Sequence, residues 1–215
     1  MRPGLCGAAV VVLALTALSV GCGPKNPDYQ SIWTTATTTT TSTEAPVPFA
    51  QYLESSGVTG EAVAPDKLTD LTVSIPIPPG WEKVEKPNMA PTTEAIAKGG
   101  NFPAAMLMVF KLNGDFDPAD VVKHGNADTT LAENFKLLDQ SGANFNGFPS
   151  SMIEGSYDLK GERLHTYNRI VIPTGPAPAR QRYLVQLAVT SLAEQAAPDA
   201  ADIQAIIHGL TVAAK

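Results

Sequence analysis

Cysteine is the scarcest residue that matters here: the 215-residue chain has two, Cys6 and Cys22. Two cysteines cannot build a disulfide framework, so the fold must hold by its core alone. Histidine is nearly as rare. His124, His165 and His208 stand alone, and none has a second His or Cys at metal-ligand spacing. Basic charge is also short. Fifteen Lys and Arg face 21 Asp and Glu, a net charge of −6, and an acidic balance excludes the basic footprint that nucleic acid requires. Gly-x-Ser-x-Gly, the P-loop and Gly-x-Gly-x-x-Gly are absent, so the sequence supports no esterase elbow and no nucleotide cradle. From these absences we expect no enzyme: no catalytic residues, no metal and no cofactor.

What is present is strongly partitioned. Arg2 is the only charge before Lys25, and an apolar run from Leu5 to Val20 lies between them. A short basic start, an apolar stretch and then small residues make a secretory signal. The run falls short of the ~20 apolar residues that a spanning helix needs, and Gly21-Cys22-Gly23-Pro24 is a poor helix continuation. Leu18-Ser19-Val20-Gly21-Cys22 resembles a bacterial lipobox, with Gly21 as the small residue before the cut and Ser19 where the usual motif has Leu. The expectation is a signal over residues 1–21 and a diacylglyceryl group on Cys22. Cys6 leaves with the signal. Two or more acyl chains give a firm anchor, at ~0.8 kcal/mol per buried CH₂.

Residues 22–48 read as a tether. The Thr-dominated tract Thr34–Thr43 is followed by Glu44-Ala45-Pro46-Val47-Pro48 and has no apolar period, so it cannot offset its ordering entropy. Ser/Thr-rich tracts with proline are typical of O-glycosylated stalks, which makes Thr37, Thr38, Thr39, Thr40 and Thr41 candidate glycosylation positions, with a bare spacer as the alternative. About 25 residues at ~3.3 Å each reach up to ~80 Å when fully extended.

The remaining body, 49–215, alternates short strand and helix patterns. Phe49, Tyr52 and Leu53 are spaced for a helix, and Leu71–Ile75 and Trp81–Val84 for strands. Ala104–Phe110 is apolar on both parities, which predicts a central strand covered on both faces. Asp117-Pro118 starts a helix, and Leu131, Phe135 and Leu138 predict a second. Met152–Leu159, Lys160-Gly161 and Leu164–Ile172 read as a hairpin. Tyr183–Val189 alternates. Ile203, Ile206, Ile207 and Leu210 form an apolar helical stripe opened by Asp199 and Asp202. The sum is an α+β fold, a largely antiparallel sheet flanked by helices on both faces.

Two constellations stand out. Arg163, His165, Tyr167 and Arg169 alternate along one strand and could bind an anion or a sugar. The competing reading pairs them with Asp158 and Glu154 across the hairpin, or leaves them as a solvated face. Met106, Met108, Phe110 and Met152 could line a lipid groove or be plain core.

Ile75-Pro76-Ile77-Pro78-Pro79-Gly80-Trp81, the strand at Met106–Phe110, Asp117-Pro118, Gly147-Phe148-Pro149, Arg169–Pro173 and Tyr183–Leu187, taken in that order with the lipobox and the Thr tract, resemble the LpqN/LpqT family of mycobacterial lipoproteins. The resemblance implies a PsbP-like α/β/α sandwich and a non-enzymatic envelope lipoprotein on the outer face of the cell membrane. It implies three partners: the membrane through the lipid anchor, an envelope glycolipid of the trehalose-mycolate type or its transporter, and a host innate receptor that reads the acyl chains. A protein–protein scaffold is the alternative, and a hydrolase with an unrecognised site ranks below both.

Overall fold

A computed structural model describes residues 46–85 and 89–215. Cys22 and Thr37–Thr41 lie outside the described residues. In chain order the elements are α1 (Phe49–Ser55), β1 (Thr59–Ala62), β2 (Leu71–Ser74), β3 (Glu82–Lys83), β4 (Glu94–Ala97), β5 (Ala104–Asn113), α2 (Pro118–Val121), α3 (Ala127–Thr130), β6 (Lys136–Ser141), β7 (Ser150–Leu159), β8 (Glu162–Val171), β9 (Arg182–Leu192), α4 (Ala200–His208) and β10 (Thr211–Ala214).

The main sheet has eight strands in the order β3-β4-β5-β9-β8-β7-β6, with β1 joined to β5 beyond the end of β4. Its pairings are all antiparallel. β10 and β2 form a separate two-stranded ribbon. The β7–β8 hairpin turns on Lys160 (φ 52°) and Gly161 (φ 85°). This pair of left-handed residues matches the twist of antiparallel strands.

Each face of the sheet buries its own apolar set. Leu107, Val109, Val185, Leu187 and Val189 meet Ile203 and Ile206 of α4 and Leu71, Val73 and Val212 of the ribbon. Completely burying one such side chain stabilises the fold by ~1.5–3 kcal/mol. On the opposite face Leu112, Ile170, Ile172 and Leu184 pack on Phe49 of α1, Val121 of α2 and Val122. Helices therefore flank a largely antiparallel sheet on both sides, the expected α+β architecture. Asp117 caps α2 as its sequence suggests, its carboxylate accepting from Ala119 N–H at 2.9 Å with Pro118 in the first turn.

The structure corrects two expectations. Leu131, Phe135 and Leu138 do not form a helix: α3 ends at Thr130, Asn134 turns left-handed at φ 50°, and β6 begins at Lys136. The helical spacing of the three residues coexists with a strand because Phe135 lays its ring on Gly155 of β7, while Leu137 and Leu138 stay exposed. β5 is central but not covered on both faces, since Met106 is 38% exposed. The short strands β1, β4 and β10 carry too little alternation to be seen in sequence.

Candidate functional site

Alternation along β8 puts Arg163, His165, Tyr167 and Arg169 on one face, as the sequence predicts, and β7 lies antiparallel beside them. Asp158 stands opposite Arg163, Ser156 opposite His165, Glu154 opposite Tyr167 and Met152 opposite Arg169. This register decides the chemistry. Arg163 donates to Asp158 Oδ1 at 2.9 Å, to Ser156 Oγ at 2.6 Å and to the Asn134 carbonyl at 2.9 Å. The Arg163 guanidinium, helped by the Asn134 amide, holds the Asp158 carboxyl below the usual carboxylate range. His165 Nε2 meets Glu154 Oε1 at 2.9 Å.

Arg169 donates to Tyr167 Oη at 2.7 Å and to Ser150 Oγ at 2.9 Å. Its guanidinium also lies 5.0 Å from the centre of the Phe145 ring, a cation–π distance. Burial raises the Tyr167 hydroxyl above its ordinary pKa, against the pull of Arg169. The four residues thus come together, and each charge is engaged by a neighbour in the same sheet. An incoming anion must displace Asp158 from Arg163, or Tyr167 and Ser150 from Arg169. On the far side, Ser191 of β9 stands opposite His165, fully buried and with its hydroxyl unpartnered.

The methionine set is not brought together. Met106 and Met108 share a face of β5 with Phe110, whereas Met152 lies in the core on the other side of the sheet. Met106 is exposed and Met108 half-buried. The histidines fall apart as well: His124 stacks on Tyr52 at 3.7 Å between ring centres, and His208 closes the last turn of α4. Among the described residues no group of three His, Cys, Asp or Glu could hold a metal.

Sequence reasoning missed one polar cluster. Asp199 and Asp202 suit the positive end of the helix dipole in sequence, yet Asp199 makes no capping bond through its side chain. Both instead take Lys98 from beyond β4, at 3.5 and 2.8 Å, and Asp202 also accepts from Trp81 Nε1 at 3.2 Å. No local signal pairs residues about a hundred positions apart. Sequence reasoning also missed the apolar rim of β6, where Leu137 is 50% and Leu138 40% exposed. The helical spacing of Leu131, Phe135 and Leu138 predicts a buried stripe that Leu138 does not join.

The model of the family described as "Probable lipoprotein LpqN" matches residues 45–213. The chain belongs to the LpqN family of lipoproteins. Among its relatives, "Putative lipoprotein LpqT" of Mycobacterium tuberculosis is 62% identical over 218 aligned positions, covering 100% of this chain and 96% of that one. The likeness therefore includes residues 1–48 as well as the body. The crystal structure of LpqN "involved in cell envelope biogenesis of Mycobacterium tuberculosis" overlies 79% of this chain and 99% of its own, with a TM-score of 0.66 at 19% identity. That overlay shows the LpqN fold. A solution structure of cyanobacterial PsbP from Synechocystis covers 67% of this chain and 94% of its own, with a TM-score of 0.42 at 11% identity.

Proposed function

We propose that this family member is a lipid-anchored, non-enzymatic binding or accessory module of the cell envelope. In this reading Cys22 carries the acyl chains, the body spanning 49–215 hangs from the 22–48 tether, and the anchor sits on the outer face of the cell membrane. The observation that carries it is the full-length identity to lipoproteins, joined to the lipobox-like Leu18–Cys22. The site geometry supports a binding role over a catalytic one. Arg163, His165 and Arg169 are each held by partners within the sheet, and the serine beside His165 is sealed in the core.

LpqN is described as involved in cell envelope biogenesis. The corresponding ligand here is an envelope glycolipid of the trehalose-mycolate type or the transporter that moves it, and the acyl chains are what a host innate receptor reads. Arg163 and His165, the part-exposed end of the row, are the polar surface offered to a sugar headgroup. Native mass spectrometry of protein purified from a mycobacterial host tests both halves. A diacylglyceryl mass on Cys22 and a co-purifying glycolipid are expected. A free Cys22 thiol overturns the anchor, and an apo species that also ignores added trehalose lipids overturns the ligand.

A further inference from the structure

Seven large apolar side chains are exposed among the described residues: Val47, Ile77, Met106, Leu131, Leu137, Leu138 and Leu159. Five of them belong to segments that are neighbours in the fold. Leu137 and Leu138 lie on β6, the strand that ends the main sheet. Leu159 closes β7, the strand paired with β6. Leu131 sits in the segment leading into β6, which is tied to β7 where Asp158 N–H donates to the Glu133 carbonyl at 2.8 Å. Val47 comes just before Phe49, whose backbone N–H donates to Asp128 of α3 at 3.3 Å. The chain therefore enters the fold beside α3, the helix that leads into Leu131. Contiguous apolar patches on a soluble body mark an interaction surface.

We infer that this rim is a membrane-contact face: the edge around β6 rests its leucines in the headgroup–acyl boundary of the bilayer that holds Cys22. The inference rests on the lipid-anchor reading above. Two observations choose a lipid surface over an added strand or a second copy. First, the edge is closed to backbone pairing. The β6–β7 register slips between Leu137 and Asp139, leaving Leu138 as an extra bulged residue, and the Asp139 carboxylate accepts from Gln140 N–H at 2.8 Å. Bulges and charged residues are how sheet edges refuse a further strand. The leucines stay exposed all the same, so they suit a partner that needs no hydrogen bonds.

Second, the chain outside the described fold ends at the patch. Under the lipid-anchor reading, twenty-six residues separate Cys22 from Phe49; a flexible chain of that length has a root-mean-square span of roughly 25–30 Å. A linker of that kind makes contact intramolecular, at an effective concentration near a millimolar. A rim of only millimolar affinity is then engaged about half the time.

The test uses the full mature chain, acylated in a mycobacterial host and placed in phosphatidylethanolamine/phosphatidylglycerol vesicles containing nitroxide-labelled lipid. With Cys6 removed and Cys22 acylated, L131C, L137C or L159C offers one thiol for an environment-sensitive fluorophore. H208C, on α4 against the other face of the sheet, is the control. All four positions are exposed, so labelling leaves the core intact, and any one of the three rim positions can carry the result. The expected outcome is blue-shifted emission, quenched by the lipid nitroxide and shielded from iodide, at the rim positions and not at H208C. Vesicle flotation is read in the same samples. Chain that floats with rim labels as open to iodide as H208C overturns the contact face alone. Chain that fails to float overturns the anchor and this inference together. Rim labels shielded in unacylated C22A protein without vesicles point to a second copy and overturn the lipid assignment.

Discussion

Gly155 sits in the middle of β7, where alanine would ordinarily be the better residue. Glycine in a strand interior costs about 0.5–1 kcal/mol relative to alanine, and Gly155 has no left-handed φ that a side chain would resist. The structure reverses that sign. A Cβ at this position would lie 2.5 Å from Phe135 Cζ and 2.6 Å from the Lys136 carbonyl oxygen. The half-buried Phe135 ring can swing away, but the carbonyl belongs to β6 and moves only if that strand moves. Overpacking costs ~1–3 kcal/mol, and a collision with strand backbone belongs in the upper half of that range, which leaves Gly155→Ala destabilised by roughly 1–2 kcal/mol after the backbone gain is subtracted. At ~2–4 °C per kcal/mol for a domain of this size, calorimetry should find Tm lowered by about 2–8 °C. Hydrogen exchange should show the loss first at the amides of Leu137 and Asp139. Phe135→Leu removes one of the two collisions, so Gly155→Ala should cost less in that background, a coupling of ~0.5 kcal/mol or more. A Tm equal to or above that of the parent protein refutes the packing argument.

Three further outcomes are expected. Lys98, with Trp81, holds the Asp202 carboxyl below its ordinary pKa, and Arg163 does the same for Asp158. Both lowered pKa values add stability above the unfolded carboxylate range near pH 4, and that stability is lost as pH falls through the folded values. Asp202→Asn with Asp158→Asn should flatten the acid limb of a chemical-denaturation series, and an unchanged limb would count against the pairs. Burial, with the Asp70 carboxylate that its hydroxyl meets at 2.8 Å, pushes Tyr183 up to about 12. The folded state then holds a proton that the unfolded chain has released, so stability should drop from about pH 10 upward. Tyr183→Phe should make that drop shallower, as read by alkaline unfolding, with the remainder left to the raised Tyr157 and Tyr167. A chain ended after His208 loses buried Leu210 and Val212, ~1.5–3 kcal/mol each, and leaves β2 unpaired. Circular dichroism melts should show a clearly lower Tm, and a melt matching the full chain would contradict the role of β10.

The hairpin of β7 and β8, the capped start of α2 and the stripe of α4 were legible because each is encoded locally. A two-residue turn with Gly161, an Asp-Pro step and an i, i+3, i+4 repeat all act within a few residues. The missed elements have no such local code. β4 is Glu94-Ala95-Ile96-Ala97, which becomes a strand by joining β3 to β5, and β10 by closing on β2. The false helix over Leu131–Leu138 shows the converse: the helical spacing was real, yet the contact that decided the outcome, Phe135 on Gly155, spans twenty residues. The candidate site was half legible. Alternation placed Arg163, His165, Tyr167 and Arg169 on one face, and the pairing to Asp158 and Glu154 stood as one of two readings until the β7 register was known.

The sequence by itself determined the α+β class of the body, and it displays an apolar run before Cys22 and a Thr-rich stretch with no apolar period. These follow from composition and short-range periodicity, which need no distant partner to be read. Only the tertiary structure decided how the charges on β8 are satisfied, that Lys98 joins the first turn of α4 to the sheet, and that Leu131, Leu137, Leu138 and Leu159 stay exposed around β6. The physical reason is the same in each case. Register and packing bring together residues far apart along the chain, and the fate of a charge or an apolar side chain is set by what stands opposite it.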